Sequence, residues 1–544
     1  MTPSAHVDSF ARDHLPPREQ WPEFIFEGPE LQFPQRLNAV RQLLDRAVLA
    51  GQGARPCLID GQGTVWSYQD LLKTVNRICR VLVEDLGLRT GNRVLLRGAN
   101  SPMLAACFLA VIKAGGVAVG SMPMLRAREL KQIIQKAQIS HALCDERLLG
   151  ELNAARDECP SLVRVSTFMA GAGAGIEALA QTKEPNFVAV DTAADDVCVI
   201  AFTSGTTGTA KGTMHFHRDL MAACACWPPH VLQATRDDVF IGSPPLAFTF
   251  GLGGMLLFPL SIGAATVLLE KATPDTLPAA IARLRATVCV TAPTSYRAMV
   301  LALAQGRHDL SSLRKCVSAG EALPAATRTL WRQTAGIEII DGIGSTEMFH
   351  IFISATEGQA RGGATGFVVP GYRACVLDDE GVEVPQGQVG RLAVKGPTGC
   401  RYLADERQTS YVQEGWNLTG DAYLIDTDGQ FVYQARTDDM IISGGYNIAG
   451  PEVEGALMLH PAVAECGVIG QNDAQRGQVV KAFVVLKPGH LGDAQTMLVL
   501  QDFVKQTIAP YKYPRAIEFV DALPRTETGK LQRFRLRQTP PTPT

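Results

Sequence analysis

The sequence predicts an α/β protein: a large N-terminal domain with a small β-barrel-like subdomain, followed by a small α+β C-terminal domain. Three observations carry that prediction. The chain has 544 residues, and single cores stop growing near about 250–300 residues, so it must divide. Short β-rich apolar runs alternate with longer helical patterns over the first two thirds, as parallel sheets wrapped by helices require. After about residue 365 turn signals come faster, and near Asp438 the pattern becomes mixed again.

Taken in order, Arg93–Leu96 reads as a strand, Met103–Ala114 as an amphipathic helix stopped by Gly115 and Gly116, Val117–Val119 as a strand and Ala127–Ala137 as a helix. Further strands are expected at Val197–Phe202, Ala265–Leu269, Val288–Thr291 and Lys315–Ser318. Beyond residue 365, the turns Asp379-Glu-Gly381, Pro385-Gln-Gly387 and Asp426-Thr-Asp-Gly429 separate short β-rich runs, the texture of an antiparallel or barrel-like unit. Pro451–Leu459 then reads as a helix, Val479–Leu486 as a strand and Met497–Ile508 as a helix. The boundary falls near Asp438, giving domains 1–437 and 438–544.

Net charge is −3, so the overall field points to neither nucleic acid nor an anionic membrane. An anionic substrate would have to be held by local groups. Val239–Leu269 has no charged residue, but Pro244, Pro245, Pro259, Gly251, Gly253, Gly254 and Gly263 interrupt it, so a buried loop–helix–strand passage is expected rather than a membrane span. The 13 cysteines show no CxxC pair and no zinc spacing, and the N-terminus lacks the apolar run of a signal peptide. Reduced, buried thiols in a cytoplasmic protein are the expectation.

The chemical signal begins where strand Val197–Phe202 runs into Thr203-Ser-Gly-Thr-Thr-Gly-Thr-Ala-Lys-Gly212. Glycines let backbone N–H groups converge, hydroxyls add donors and Lys211 adds positive charge, which makes an anion nest of phosphate size. It is not a Walker A loop, because Ala210 and Gly212 flank the lysine where that motif needs Gly and Ser/Thr. The bland alternative is a flexible hairpin.

This loop resembles the phosphate loop of the acyl-adenylate-forming superfamily, which includes acyl- and aryl-CoA ligases, peptide-synthetase adenylation domains and luciferases. Further blocks match in the family's order: Ser318-Ala-Gly-Glu-Ala-Leu-Pro324, Asp341-Gly-Ile-Gly-Ser-Thr-Glu347, Thr419-Gly-Asp421, Arg436-Thr-Asp-Asp-Met-Ile-Ile-Ser-Gly-Gly-Tyr446, Glu452-Val-Glu454 and Pro524-Arg-Thr-Glu-Thr-Gly-Lys530. The likeness runs from about residue 40 to 537. It is finer to benzoate-type ligases over Asp341–His350, Tyr513–Val520 and Lys530–Arg537, and the opening Phe10–Pro17 resembles the 2-aminobenzoate (anthranilate)–CoA ligases.

The resemblance implies αβ-sandwich subdomains in the large domain, a mobile C-terminal domain, and a two-step reaction. A carboxylate attacks the α-phosphorus of ATP to give acyl-AMP and pyrophosphate; the thiol of coenzyme A then displaces AMP. On that basis Thr203, Ser204, Gly205, Thr206, Thr207 and Lys211 would hold phosphates, Glu347 would ligate Mg2+, and Thr346 would donate to the α-phosphate. Asp341, Gly342 and Ile343 would hold adenine, with Gly320 and Glu321 on its other face. Asp421 would take the ribose hydroxyls, with Arg436 beside it, and Asp438 would be the hinge. Lys530 would bridge carboxylate and α-phosphate in the first step. Ser443, Gly444, Gly445 and Tyr446 would replace it in the second, although family members often carry an acidic residue where this chain has Tyr446.

Phe248, Thr249, Phe250, Gly251, Ile343, Gly344 and Ile351 are the expected acid pocket, a flat apolar slot suited to a benzene ring. His350 is expected to orient the carboxylate, with a core histidine bonded to backbone as the alternative. The Thr249 hydroxyl would accept from an ortho amino group. The reading is an aryl-CoA ligase with 2-aminobenzoate first and benzoate or a substituted benzoate second. A homodimer is compatible with it. An adenylating enzyme that loads a carrier protein is the alternative of another class; a luciferase-like oxidase and a non-catalytic nucleotide sensor have less in their favour.

Overall fold

The computed structural model describes residues 3–171, 174–204, 210–305, 308–443, 446–473, 476–525 and 531–538. Strand–helix alternation produces two large sheets. One has six strands in the order Arg164–Phe168, His141–Asp145, Arg93–Arg97, Val117–Ser121, Val197–Ser204, Ala210–Phe216, all parallel except the last pair. The other has nine, in the order Phe367–Val368, Ile351–Ser354, Ile339–Gly344, Lys315–Ala319, Val288–Thr291, Val239–Gly242, Ala265–Leu268, Pro56–Asp60, Val65–Ser67. Its six central strands are parallel, and antiparallel pairs close both ends.

One hydrophobic cluster joins the two sheets, taking Val94, Leu96 and Ala118 from the first and Leu58, Phe240, Val288, Val317 and Ile340 from the second. Helix Pro102–Lys113 lies inside it. Ser101 caps the helix by accepting from the Leu104 N–H, and Pro102 sits in the first turn, where its missing donor is harmless. Residues 104–113 of this helix are all buried, so the expected amphipathic helix is instead apolar all round. The physical reason is its place between layers, against helix Tyr68–Arg80 on one side and strands on the others. Lys113, at its end, is fully buried and donates to Asp45 and Asn76, both at 2.6 Å.

The charge-free stretch folds as strand Val239–Gly242, helical turns from Thr249 to Ile262 and strand Ala265–Leu268, all within the core. Among the described residues no helix is long and apolar enough to cross a membrane. All 13 cysteines are free and buried.

Past residue 365 the chain forms an antiparallel five-stranded sheet of Arg373–Leu377, Gly390–Lys395, Trp416–Ile425, Val412–Gln413 and Phe431–Arg436. Gly381, Gly387 and Gly429 end the expected turns in the left-handed region. A fourth sheet, of Ile441–Ser443, Tyr446–Ile448, Val463–Asp473, Gly477–Leu486 and Ala516–Phe519, shares no strand with the others and is packed by helices Gly450–Leu457 and Ala494–Thr507.

Candidate active site

The centre of the site is the connection between antiparallel strands Ile339–Gly344 and Ile351–Ser354, paired with Gly342 opposite Ser354 and Gly344 opposite Ile351. Residues 345–350 make a tight turn. The Met348 N–H donates to Ser345 Oγ at 3.2 Å and the Phe349 N–H to the Thr346 carbonyl at 3.1 Å. Phe349 has a φ of 70°, uncommon for a bulky residue, and its buried ring packs edge-on against His215. A β-carbon on Gly344 would lie 2.5 Å from the His350 carbonyl, so this register admits no side chain there. The turn thus fixes Thr346, Glu347 and His350 relative to Asp341 through packed backbone.

Glu347 is buried. Its Oε1 accepts from the Tyr402 hydroxyl at 2.5 Å and lies 3.0 Å from Lys211 Nζ, while Lys211 Nζ donates to the Tyr402 oxygen at 2.6 Å. Burial would raise the Glu347 carboxyl, but the Lys211 charge and the Tyr402 hydroxyl outweigh it and hold the group below its ordinary value. Lys211 also sits over the rings of Tyr402 and Tyr411, 4.8 and 5.7 Å from their centroids. Strand Val197–Ser204 does not stop before the glycine-rich loop. It continues, pairing Thr203 with Lys211 and Ser204 with Ala210, and residues 205–209 beyond that pair lie outside the described residues. Thr203 Oγ1 is buried with no partner.

On the strand before the turn, Asp341 lies beside Ser318 and Gly342 beside Ala319 in parallel register, next to Gly320 and Glu321. Asp341 Oδ1 is buried without a partner. Burial pushes this carboxyl up to about 6, against the pull of the Arg328 guanidinium. Asp421 and Arg436 face each other across strands Trp416–Ile425 and Phe431–Arg436. Arg436 Nη1 donates to Asp421 Oδ1 at 3.1 Å and to the Thr419 carbonyl at 2.9 Å. The glycine of Thr419-Gly-Asp421 is required here. Its φ is 76°, and a β-carbon would lie 2.5 Å from Arg436 Nη2.

Phe248 caps the short helix Thr249–Leu252, in which Thr249 is 5% exposed and Gly251 could carry no β-carbon, since the Pro245 carbonyl is 2.0 Å from that position. Ile351 packs against Gly342, and Phe250 and Ile343 lie against the main core. His350 joins the two stretches. Its Nε2–H donates to the Phe250 carbonyl at 3.4 Å, and its ring lies 5.6 Å from Phe250 and 4.4 Å from Phe258, over the gap left by Gly253. Burial drives its pKa down to about 3, so it is neutral. The imidazole fills the space two glycines leave, with one nitrogen bonded to backbone as the core-histidine alternative expects and Nδ1 buried with no partner.

Gly205, Thr206, Thr207, Gly444, Gly445 and Lys530 lie outside the described residues, as do the side chains of Ser204, Asp438 and Tyr446. Ser443 is buried with an unpartnered hydroxyl. The surface recesses lined by Leu303, Leu310 and Ile337 and by Leu149, Val165 and Leu179 include no residue of the site.

Sequence reasoning missed two contributors. Tyr402 touches both Lys211 and Glu347 but lies in a stretch without motif spacing. Asn100 clamps the pocket loop, donating to the Pro244 carbonyl at 2.9 Å and accepting from the Leu246 N–H at 2.8 Å.

The donor set fits a nucleotide with a hard cation. Asp341 Oδ1 and Thr203 Oγ1 are orphaned polar atoms, and Lys211 stands beside a single buried carboxylate. Among the described residues no three His, Cys, Asp or Glu side chains gather to hold a metal. One carboxylate together with phosphate oxygens and water suits Mg2+, which keeps much of its hydration, and does not suit a protein-caged ion.

The AMP-binding enzyme family matches residues 44–402, and the AMP-binding enzyme C-terminal domain matches residues 452–530. Benzoate–CoA ligase of Thauera aromatica is 36% identical over 516 residues, covering 94% of this chain and 97% of its own. The 4-hydroxybenzoate–CoA/benzoate–CoA ligase of Rhodopseudomonas palustris is 34% identical, covering 92% and 94%. Among solved structures, an anthranilate CoA ligase in complex with anthranoyl-AMP superposes with a TM-score of 0.89 at 34% identity, over 94% of this chain and 98% of that one. A benzoate CoA ligase from Burkholderia xenovorans gives 0.83 at 32%, over 92% and 100%.

Proposed function

The chain belongs to the AMP-binding enzyme family, and on that premise we propose that it is an AMP-forming aryl-CoA ligase. It would convert an aromatic carboxylate, ATP and coenzyme A into aryl-CoA, AMP and pyrophosphate. The observation that carries this reading is that one strand–turn–strand unit, Ile339 to Ser354, supplies three things together. These are a buried carboxyl with an orphaned oxygen at Asp341, a buried carboxylate beside the loop lysine at Glu347, and the apolar walls Ile343 and Ile351.

In this reading the acid lies in the slot of Phe250, Ile343 and Ile351, and ATP runs from Asp341 past Asp421 to Lys211. The carboxylate oxygen attacks the α-phosphorus and pyrophosphate leaves, which turns an oxide leaving group into a phosphate ester. Catalysis of such a step is positioning plus charge stabilisation. Lys211 and the loop hydroxyls, Thr203 among them, take the β- and γ-phosphates, Thr346 donates to the α-phosphate, and Asp421 holds the ribose diol. Glu347 would hold Mg2+, which when bound neutralises phosphate charge. The thiol of coenzyme A then attacks the acyl carbon and AMP leaves.

We place the division into domains at 1–437 and 438–544, with Asp438 as hinge, Lys530 serving the first step and Ser443–Tyr446 the second. The separate sheet beginning at Ile441–Ser443 supports it. Lys530→Ala should then lower adenylation by about a thousandfold, since it removes a charge made available only on closure. Thioester formation from supplied aryl-AMP should be largely spared, and equal loss in both half-reactions would contradict the assignment.

The finer reading is 2-aminobenzoate. It is supported by the buried Thr249 hydroxyl at the pocket and by the likeness to an anthranilate CoA ligase, while the likeness to benzoate–CoA ligase supports benzoate equally. AMP release with free coenzyme A across benzoate and its 2-amino, 2-hydroxy and fluoro derivatives tests both levels. No aryl-CoA from any of them would remove the ligase reading and leave the carrier-loading alternative.

A further inference from the structure

Tyr402 belongs to none of the family blocks named above, yet its hydroxyl makes close contacts to both Glu347 and Lys211. Its position is built with care. The Tyr402 N–H donates to Gln408 Oε1 at 2.9 Å, and Gln408 in turn donates to the carbonyls of Gln20 and Cys400. Flanking backbone bonds, Met214 N–H to the Arg401 carbonyl and Leu403 N–H to the Gly212 carbonyl, both at 2.8 Å, lay this segment along strand Ala210–Phe216. Arg401, wholly buried, is ion-paired with Asp219. The register therefore carries the phenol to Lys211 and nowhere else. Tyr411, its neighbour, shares a hydroxyl contact of 3.2 Å with Ser345, inside the turn that bears Glu347.

We propose that Tyr402 is a positioning residue that aims Glu347 at the nucleotide-bound cation, and that without nucleotide it shares Glu347 with Lys211 as a latch that ATP must open. This rests on the adenylating reading above. The geometry has a direct electrostatic reason. A buried carboxylate and a nearby ammonium left alone are each costly, and paired they neutralise one another. When phosphate and cation arrive, Lys211 can move to phosphate and Glu347 to the cation, so neither charge is buried without a partner. The Tyr402 hydroxyl, fixed by backbone on both sides, stays on Oε1 throughout and keeps the carboxylate from turning. A phenol can do this because it donates to Glu347 and accepts from Lys211 through the same oxygen.

Tyr402→Phe keeps the ring and removes the donor. ATP binding measured by calorimetry over a range of Mg2+ concentrations should show the half-saturating Mg2+ concentration raised about tenfold, the size of a lost charge-assisted hydrogen bond. ATP affinity in EDTA should stay within about twofold, because the cation–π contact and the phosphate contacts of Lys211 remain. An unchanged Mg2+ dependence overturns the proposal. So does equal weakening with and without Mg2+, which a merely structural tyrosine would produce. A second variant tests the latch without touching Tyr402. Glu347→Gln releases Lys211 and should strengthen ATP binding in EDTA by about threefold, in line with loss of a partly buried ion pair; a fall or no change overturns the latch. Wild-type protein that releases neither AMP nor pyrophosphate would instead refute the adenylating reading, whereas unchanged Mg2+ dependence in a folded, active Tyr402→Phe refutes only the role of Tyr402.

Discussion

Asp341 and Glu347 lie on one strand–turn segment and are both buried carboxylic acids, yet their surroundings push them opposite ways. On the strand, burial dominates and raises Asp341 to about 6. In the turn, the same burial is outweighed by Lys211 and Tyr402, and Glu347 is held below its ordinary value. In the proposed reading the difference teaches that a nucleotide site uses two kinds of acid. Near phosphate and cation a permanent charge would be useful, whereas against an uncharged purine a full charge would only add desolvation, and a carboxyl able to shed its charge would be the cheaper partner.

The comparison can be broken by neutralising each acid in turn. Glu347→Gln should have the largest effect, lowering adenylation by about a hundredfold or more, as loss of a preorganised charged group does. Its stability should also reveal the sign of the shift. A depressed carboxyl contributes stability above its unfolded value of 4.5 and loses it as pH falls through the lower folded value. Chemical denaturation of the Gln variant should therefore show a flatter acid limb than wild type; an identical limb would mean the charge is not held by Lys211 and Tyr402.

Asp341→Asn should do less to activity and more to stability, in the opposite direction. A raised carboxyl is destabilising once ionised, so wild type loses stability as pH rises from 3.8 to about 6. The Asn variant escapes that loss and should be more stable than wild type by about 2 kcal/mol at pH 8, with the gain gone near pH 4. KM for ATP should rise by about threefold, since Asn still offers an acceptor. Loss of activity matching that of Glu347→Gln would erase the contrast between the two ends. The smallest effect is expected beyond both acids, in the pocket. Thr249→Ala should reduce the preference for 2-aminobenzoate over benzoate by about fivefold, the scale of one buried hydrogen bond. An unchanged ratio in competition assays would remove Thr249 as the discriminator.

Much of the fold was legible because its signals are local. Val288–Thr291 folds as the strand read from its β-branched run, and Ala127–Lys136 as the helix read from its spacing. Helix Pro102–Lys113 shows the limit. Its position was plain from periodicity and from the glycines that stop it, but its burial on every side depended on layers contributed by distant strands. In the site, the order of motifs named Glu347, Asp341, Asp421 and Arg436, and the fold brings Asp421 and Arg436 into contact through a strand pairing that turn signals had suggested. For His350 the pattern left two readings, and only the structure shows its ring packed beside Gly253 and Gly254 with Nε2 on a backbone carbonyl and Nδ1 without a partner.

The sequence by itself determined the α/β class, the ordered motifs of an AMP-binding enzyme and the residue types available for phosphate, ribose and cation. These depend on short-range spacing, turn chemistry and hydrophobic period, which a chain carries before it folds. Only the tertiary structure decided which acid is pushed above its ordinary value and which is held below it, and that Tyr402 touches both Lys211 and Glu347. Those outcomes depend on desolvation and on contacts spanning 191 and 55 residues of chain, which sheet order and packing alone bring within hydrogen-bond reach.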